Sequence, residues 1–145
     1  MKVIVYTRAD GGVSRVDFGD KLPGETDEEQ EARIITRHMA WRPDLSNLHV
    51  CDSAELPDRM FRKSWRQSGK GVPAIDLDAA KQEFEDNLTA AKRIKARELI
   101  ERETAGENVA AEKAALQAIN PRNLANGKAT VADLKAAWPE TVRKS

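Results

Sequence analysis

Cysteine occurs once in this chain of 145 residues, at Cys51, so no internal disulfide can form and a disulfide-stapled scaffold is excluded. Net charge is absent as well: 24 lysines and arginines balance 24 aspartates and glutamates, leaving no global field to steer the chain to nucleic acid or an acidic membrane. No apolar run approaches the roughly 20 residues that span a bilayer. The opening M-K-V-I-V-Y-T-R turns polar after a short apolar run, too short for the core of a secretory signal. These absences make the cytoplasm the expected place of synthesis and folding. Internal repeats, low-complexity tracts and a Gly-rich phosphate loop are also missing. Gly69 and Gly71 lead into Val72-Pro73 rather than into a helix N-terminus.

What is present is a chain 40% hydrophobic and 33% charged. That is too charged for one large spherical core and too apolar for disorder, and it suits long helices with solvated faces. The charge is unevenly placed. Residues 1–57 hold 7 basic and 11 acidic side chains, and residues 58–75 hold 5 basic and 1 acidic. The middle of the chain is therefore a local basic patch.

Residues 3–6 are β-formers, Ala9-Asp10-Gly11-Gly12 suits a tight turn, and Val13, Val16 and Phe18 follow, so residues 2–18 read as a β-hairpin. Thr26 with Glu29 forms a capping box, and Asp27-Glu28-Glu29 suits the positive end of a helix dipole. Ile34, Ile35, His38 and Met39 make the apolar stripe of a helix that reaches about Ala40 and stops before Pro43. Residues 47–51 alternate with period two, Leu48 and Val50 to one face, His49 and Cys51 to the other. Residues 1–57 thus read as a small β-β-α-β domain, a sheet with one helix on a face.

Asp58 is placed to cap a short helix over residues 59–67, and residues 72–75 read as extended. Segment 58–75 is therefore expected to be a basic, aromatic connector helix and linker. Residues 76–145 read as a helical hairpin with a short C-terminal helix. Asp76 or Asp78 caps a long helix over about residues 78–105. Leu77, Ala80, Phe84, Leu88, Ala91 and Ile94 form its stripe, and Lys81–Glu85, Arg97–Glu101 and Glu98–Arg102 stand at i, i+4. Gly106 and Asn108 mark a turn. Val109, Leu116 and Ile119 continue the stripe on a second helix that Pro121 ends. Thr130 and Asp133 open the last helix, over residues 131–137, and Trp138 pins the tail. The fold class is α+β.

Catalytic chemistry is thin. His49 and Cys51 share a strand face, but a zinc site needs further ligands and only His38 is of the right kind. Nothing near them in sequence orients the histidine as a base for the thiol. The carboxylates are spread over charged helix faces. No catalytic, cofactor-binding or metal-ligating residue is assigned. The most informative segment is Met60-Phe61-Arg62-Lys63-Ser64-Trp65-Arg66. It reads as an aromatic–basic surface for a partner or nucleic acid, or as two core anchors with arginines snorkelling outward, and the i, i+4 aromatic spacing favours anchors.

Three pieces, M-K-V-I-V-Y-T-R-A-D-G-G-V-S, L-P-D-R-M-F-R-K-S-W-R and T-V-A-D-L-K-A-A-W-P, together resemble small proteins of tailed bacteriophages and prophages found among virion and tail genes. The central F-R-x-x-W followed by a long helix is similar to part of phage tail and tail-fibre assembly chaperones. The resemblance defines no functional residue to carry over, and residues 19–46 fall outside it. It implies an accessory protein that acts by protein–protein contact, as a tail or head–tail structural component of the virion or as a tail assembly chaperone, in the host cytoplasm during assembly or in the virion itself. Its partners would be other phage structural or tail proteins, or a second copy.

A two-helix hairpin with a stripe on each helix has little of its own to cover them, which is the physical reason to expect a partner. Phe61, Arg62, Trp65, Arg66, Phe84, Leu88 and Trp138 are the partner-binding candidates. The alternative is a nucleic-acid-binding or regulatory phage protein that uses segment 58–75 and the cluster Lys92-Arg93-Ile94-Lys95-Ala96-Arg97. Zero net charge argues against strong non-specific binding of that kind.

Overall fold

The computed structural model describes residues 1–42 and 44–143. The chain is α+β and divides into two compact units, Met1–Asp76 and Leu77–Ser145.

In the first unit, β1 (Lys2–Thr7) is the middle strand of a three-stranded sheet, between β2 (Val13–Asp17) and β3 (Ser46–Asp52), and both pairings are antiparallel. Gly11 takes φ +84° in the β1–β2 loop, where Asp10 Oδ1 accepts from the Gly12 amide at 2.8 Å. Helix α1 (Asp27–Trp41) opens on the expected capping box: the Glu29 amide donates to Thr26 Oγ1 at 3.2 Å, and the Thr26 amide to Glu29 Oε2 at 3.1 Å. The stop expected at Pro43 lies outside the described residues. Met39, placed on the apolar stripe by spacing, is exposed.

The sheet has two apolar faces. Ile4 and Tyr6 pack with Phe18 and Ile34, and Leu48 and Val50 join them. On the other face Val3, Val5, Val13 and Cys51 pack around Trp65. The strand alternation read from residues 47–51 is therefore what the core uses.

Segment 58–75 departs from the expected connector helix. Asp58 does cap a helical turn, accepting from the Met60 amide at 2.9 Å. The turn is a 3₁₀ helix, Arg59–Ser64, broken at Phe61 (φ −110°, ψ 36°). The chain then extends as β4 (Trp65–Arg66), paired antiparallel with β5 (Ala74–Ile75). Tertiary packing outweighs local helical spacing here. In β4, Trp65 stands opposite Ile75, and both join the apolar cluster under β1, with Leu56 beside them. Its indole N–H donates to the Asp58 carbonyl at 3.2 Å. Gln67 ties the β4–β5 loop to the sheet: its side-chain amide donates to the carbonyls of Asn47 (3.0 Å) and Gly71 (2.9 Å) and accepts from Thr7 Oγ1 (2.7 Å). Residues 58–75 thus complete the first unit and are no linker.

In the second unit, α2 (Leu77–Thr104) has 28 residues, about 42 Å at the usual helical rise. Three shorter helices follow, α3 (Ala110–Ala118), α4 (Pro121–Ala125) and α5 (Val131–Ala136), then a 3₁₀ turn, Glu140–Val142. α2 and α3 make a hairpin of unequal arms, and α4, α5 and the last turn also pack on α2. α3 ends before Pro121, as the spacing predicts, and Pro121 is also the first residue of α4, whose cap is Asn120 accepting from the Asn123 amide at 3.1 Å.

The seam of α2 differs from the stripe read in sequence. Ala80, Phe84 and Leu88 are fully buried, but Ile94 is 67% exposed. A step of three residues lags a full turn by about 60°, so the steps Leu88–Ala91–Ile94 rotate off the seam by about 120°. Burial resumes at Leu99. Between them Lys92 lies half-buried and donates Nζ to the Ile119 carbonyl at 2.6 Å, a cation at the carbonyl end of α3.

The helix-to-helix turn is a Schellman motif. The Glu107 amide donates to the Arg102 carbonyl and the Gly106 amide to the Glu103 carbonyl, both at 3.0 Å, with Gly106 at φ +96°. The side chains usually in apolar contact across this motif are an ion pair here, Arg102 Nε to Glu107 Oε2 at 2.7 Å.

Trp65 fills the space under β1, so truncating it removes packing that nothing else in the unit supplies. Trp65→Ala should cost the first unit about 3–5 kcal/mol. Trp65→Phe, which keeps the ring and loses the indole hydrogen bond, should cost about 1–2 kcal/mol. Urea unfolding followed at amides of β1 measures both.

Candidate interaction surface

The residues singled out by sequence divide sharply by exposure. Phe61, Trp65, Phe84 and Leu88 are fully buried, so none of them is offered to a partner: they are anchors of their own units. Trp138 is half-buried and meets the ring of Phe84 edge-on, with centroids 5.6 Å apart at 87°. Except at Ile94, the apolar seam that suggested a missing companion is covered by the unit's own side chains, with Val109, Leu116, Leu134 and Val142 all buried.

Arg62 and Arg66 are exposed, together with Arg59, Lys63 and Lys70. Arg66 is committed: Nη1 donates to the carbonyls of Lys63 and Trp65, both at 2.8 Å. With Phe61 and Trp65 in the core, the basic segment has no exposed aromatic ring on which a base could stack. The aromatic–basic reading of this segment is corrected to core anchors with outward-facing cations.

Two isoleucines of α2 are exposed: Ile94, which spacing places on the apolar stripe, and Ile100, which it does not. Ile94 is 67% and Ile100 57% exposed, both on α2. Ile100 borders a groove between α2 and α3 lined by Ala96, Leu99, Lys113, Leu116 and Gln117. The side of α3 opposite Leu116 is exposed and uncharged, with Ala111, Ala114, Ala115 and Ala118 at the surface. The signal was available: Ile94 and Ile100 are the large apolar residues of α2 that fall off the Phe84–Leu88–Leu99 line.

Charged groups frame this surface at the turn end. Arg102 donates to both carboxylate oxygens of Glu112 on α3, at 2.8 and 2.9 Å, and to Glu107. Lys113 pairs with Glu103 at 2.6 Å. Arg102, expected to pair with Glu98 inside α2, therefore clamps α2 to α3, while Glu98 takes Lys95 at 3.1 Å. Glu85, expected to pair with Lys81, is engaged by Arg122 of α4 at 3.3 Å. Hydrogen bonds from Arg102 hold the Glu112 carboxyl below its ordinary value, and the two glutamates raise the already high pKa of the guanidinium.

Chemistry of other kinds finds little support in the geometry. Cys51 is buried, and that burial, with Glu55 and Asp52 nearby, pushes its thiol pKa up, so the thiol stays protonated and weakly nucleophilic. Among the described residues no cluster of three or more His, Cys, Asp or Glu side chains could hold a metal ion. None of the described helices is long and apolar enough to cross a membrane.

A carboxylate held below its ordinary pKa stabilises the fold above that ordinary value, 4.5 for Glu112, and the contribution is lost as pH falls through the lower folded value. Glu112→Gln should therefore lower the melting temperature of the helical unit at pH 7. The difference from the wild type should shrink below pH 4.5 and vanish at the acid end of a calorimetric pH series.

No protein-family model, curated protein or solved structure matches this chain.

Proposed function

We propose that this chain is a bacteriophage accessory protein that works by protein–protein contact, as a tail or head–tail component of the virion or as a tail assembly chaperone. Its partner in this reading is another phage structural or tail protein. The observation that carries the contact reading is the exposure of Ile94 and Ile100 on a helix whose Phe84, Leu88 and Leu99 are fully enclosed and whose Leu77 is half-buried. A monomer leaves single apolar side chains at its surface without consequence. Here Ile100 borders a groove lined by Ala96, Leu99 and Leu116, with the Arg102–Glu112 and Lys113–Glu103 pairs at its turn end, an apolar floor beside a charged rim. The phage assignment itself rests on the three sequence segments that resemble virion and tail-gene proteins.

Within this reading the contact residues move from the buried aromatics to Ile94, Ile100 and the groove that Ile100 borders. The basic segment 58–75 plays no part in it. Purification of the tagged chain from phage-infected cells, with co-purifying proteins identified by mass spectrometry, tests the proposal. Tail or head–tail proteins should accompany the wild type and be depleted about tenfold or more with Ile100→Glu, the loss expected of an anchor near 1.4 kcal/mol or above. Melting temperature should be unchanged, because Ile100 contributes little to its own core. Equal recovery with both chains, or recovery of non-structural proteins only, would contradict the proposal.

A further inference from the structure

The sheet of the first unit has two edges, and they are finished differently. Across an antiparallel pair, alternate residues turn their N–H and C=O groups toward the neighbour. The Ser53 amide donates to the Met1 carbonyl at 2.8 Å, Cys51 stands opposite Val3, and His49 stands opposite Val5. Ser53, Cys51 and His49 therefore face β1, while Leu48, Val50 and Asp52 turn their backbone groups outward; the register shift between Val5 and Thr7 lies beyond His49, where Asn47 takes a positive φ.

Both ends of that outward row are occupied. The Asp52 amide donates to Glu55 Oε2 at 2.8 Å. At the other end Asn47 takes φ 56°, and its carbonyl accepts from Gln67 at 3.0 Å. Between them lie the N–H and C=O groups of Leu48 and Val50, which make no hydrogen bond outside the β1 ladder among the described residues.

The opposite edge is guarded. In β2 the outward carbonyl of Val13 accepts from Arg8 Nη1 at 3.4 Å, and the outward-turned residues Arg15 and Asp17 carry charges paired at 2.7 Å. Residues 46–51 of β3 (Ser, Asn, Leu, His, Val, Cys) contain no aspartate, glutamate, lysine or arginine. Charged side chains are the common protection of an edge strand, and this edge has none along its open stretch.

We infer that β3 pairs with β3 of a second copy of this chain, antiparallel about a two-fold axis at His49, joining the two three-stranded sheets into one continuous sheet. The register follows from the open groups. Leu48 of each copy stands opposite Val50 of the other, and each such pair exchanges N–H···O=C bonds in both directions. The side chains agree with this register. Leu48 and Val50 lie on the Ile4–Tyr6 face and are half-buried, so cross-strand Leu–Val contacts extend an existing apolar face across the axis. On the other face the two His49 side chains meet at the axis, and Asn47 stands opposite Cys51. No formal charge opposes another along the open stretch, which is the complementarity that selects a second copy over a charged peptide. The interface is isologous and closes at two chains, because the β2 edges that would continue the sheet are blocked. This pairing is independent of any partner of the helical unit.

Sedimentation equilibrium of the full chain over a concentration series, with amide hydrogen exchange at each concentration, tests it. The mass should rise from one chain to two, and the Leu48 and Val50 amides should slow by about tenfold or more as it does. The Arg15 amide on the other edge should not change. Val50→Pro removes an outward N–H without touching the β1 ladder and should leave a monomer at every concentration. Should Val50→Pro fail to fold, His49→Lys sets two like charges face to face at the axis and should also give a monomer. A wild type of one-chain mass up to millimolar concentration would overturn the inference. So would a dimer whose Leu48 and Val50 amides stay fast, or one that survives His49→Lys.

Discussion

A strand with apolar side chains on both of its faces must be covered twice. Val3, Ile4, Val5 and Tyr6 are all buried, and the first unit is organised around that requirement. One face is closed by α1 through Ile34. The other is closed by Trp65, delivered by a 3₁₀ turn and a two-stranded hairpin. Three strands under one helix would leave Val3 and Val5 in water, and burying side chains of that size is worth about 1.5–3 kcal/mol each. The segment 58–75 is thus as much a part of the sheet's stability as the helix on its far side.

That requirement is visible in the sequence. The run Val3-Ile4-Val5-Tyr6 does not alternate apolar with polar, the pattern of a strand buried on both faces. The β-hairpin, the capping box at Thr26 and Glu29 and the alternation at Leu48–Cys51 were legible because each rests on local chemistry. The path of residues 59–67 was not. Phe61 and Trp65 have helical spacing, and only the need to fill the space under Val3 and Val5 turns Trp65 into a strand residue. Their role as anchors was favoured by that spacing, and both are fully enclosed.

The helical unit repeats the lesson with a different period. Ala80, Phe84 and Leu88 followed from spacing. Ile94 did not, because two successive steps of three rotate it off the seam. The short helix α4 is hidden in the sequence because Pro121 signals a stop, although Asn followed by Pro is equally a cap followed by a first helical residue. Ion pairs written as intrahelical from i, i+4 spacing run between helices in the cases of Arg102–Glu112 and Glu85–Arg122, since spacing along one helix says nothing about what packs beside it. The surface left apolar after this packing, Ile94 and Ile100, could be found only by subtracting the true seam from all the apolar positions. A contact surface is in that sense a remainder of the fold.

The central claim is that the Trp65 segment and the sheet form one cooperative structure, and native-state hydrogen exchange tests it directly. If the claim holds, the Trp65 indole N–H, bonded to the Asp58 carbonyl at 3.2 Å, exchanges with the same opening free energy as the amides of Ile4 and Val5. An indole N–H that exchanges through a much cheaper opening while the β1 amides stay protected would show the segment to be a detachable strap and would contradict the account.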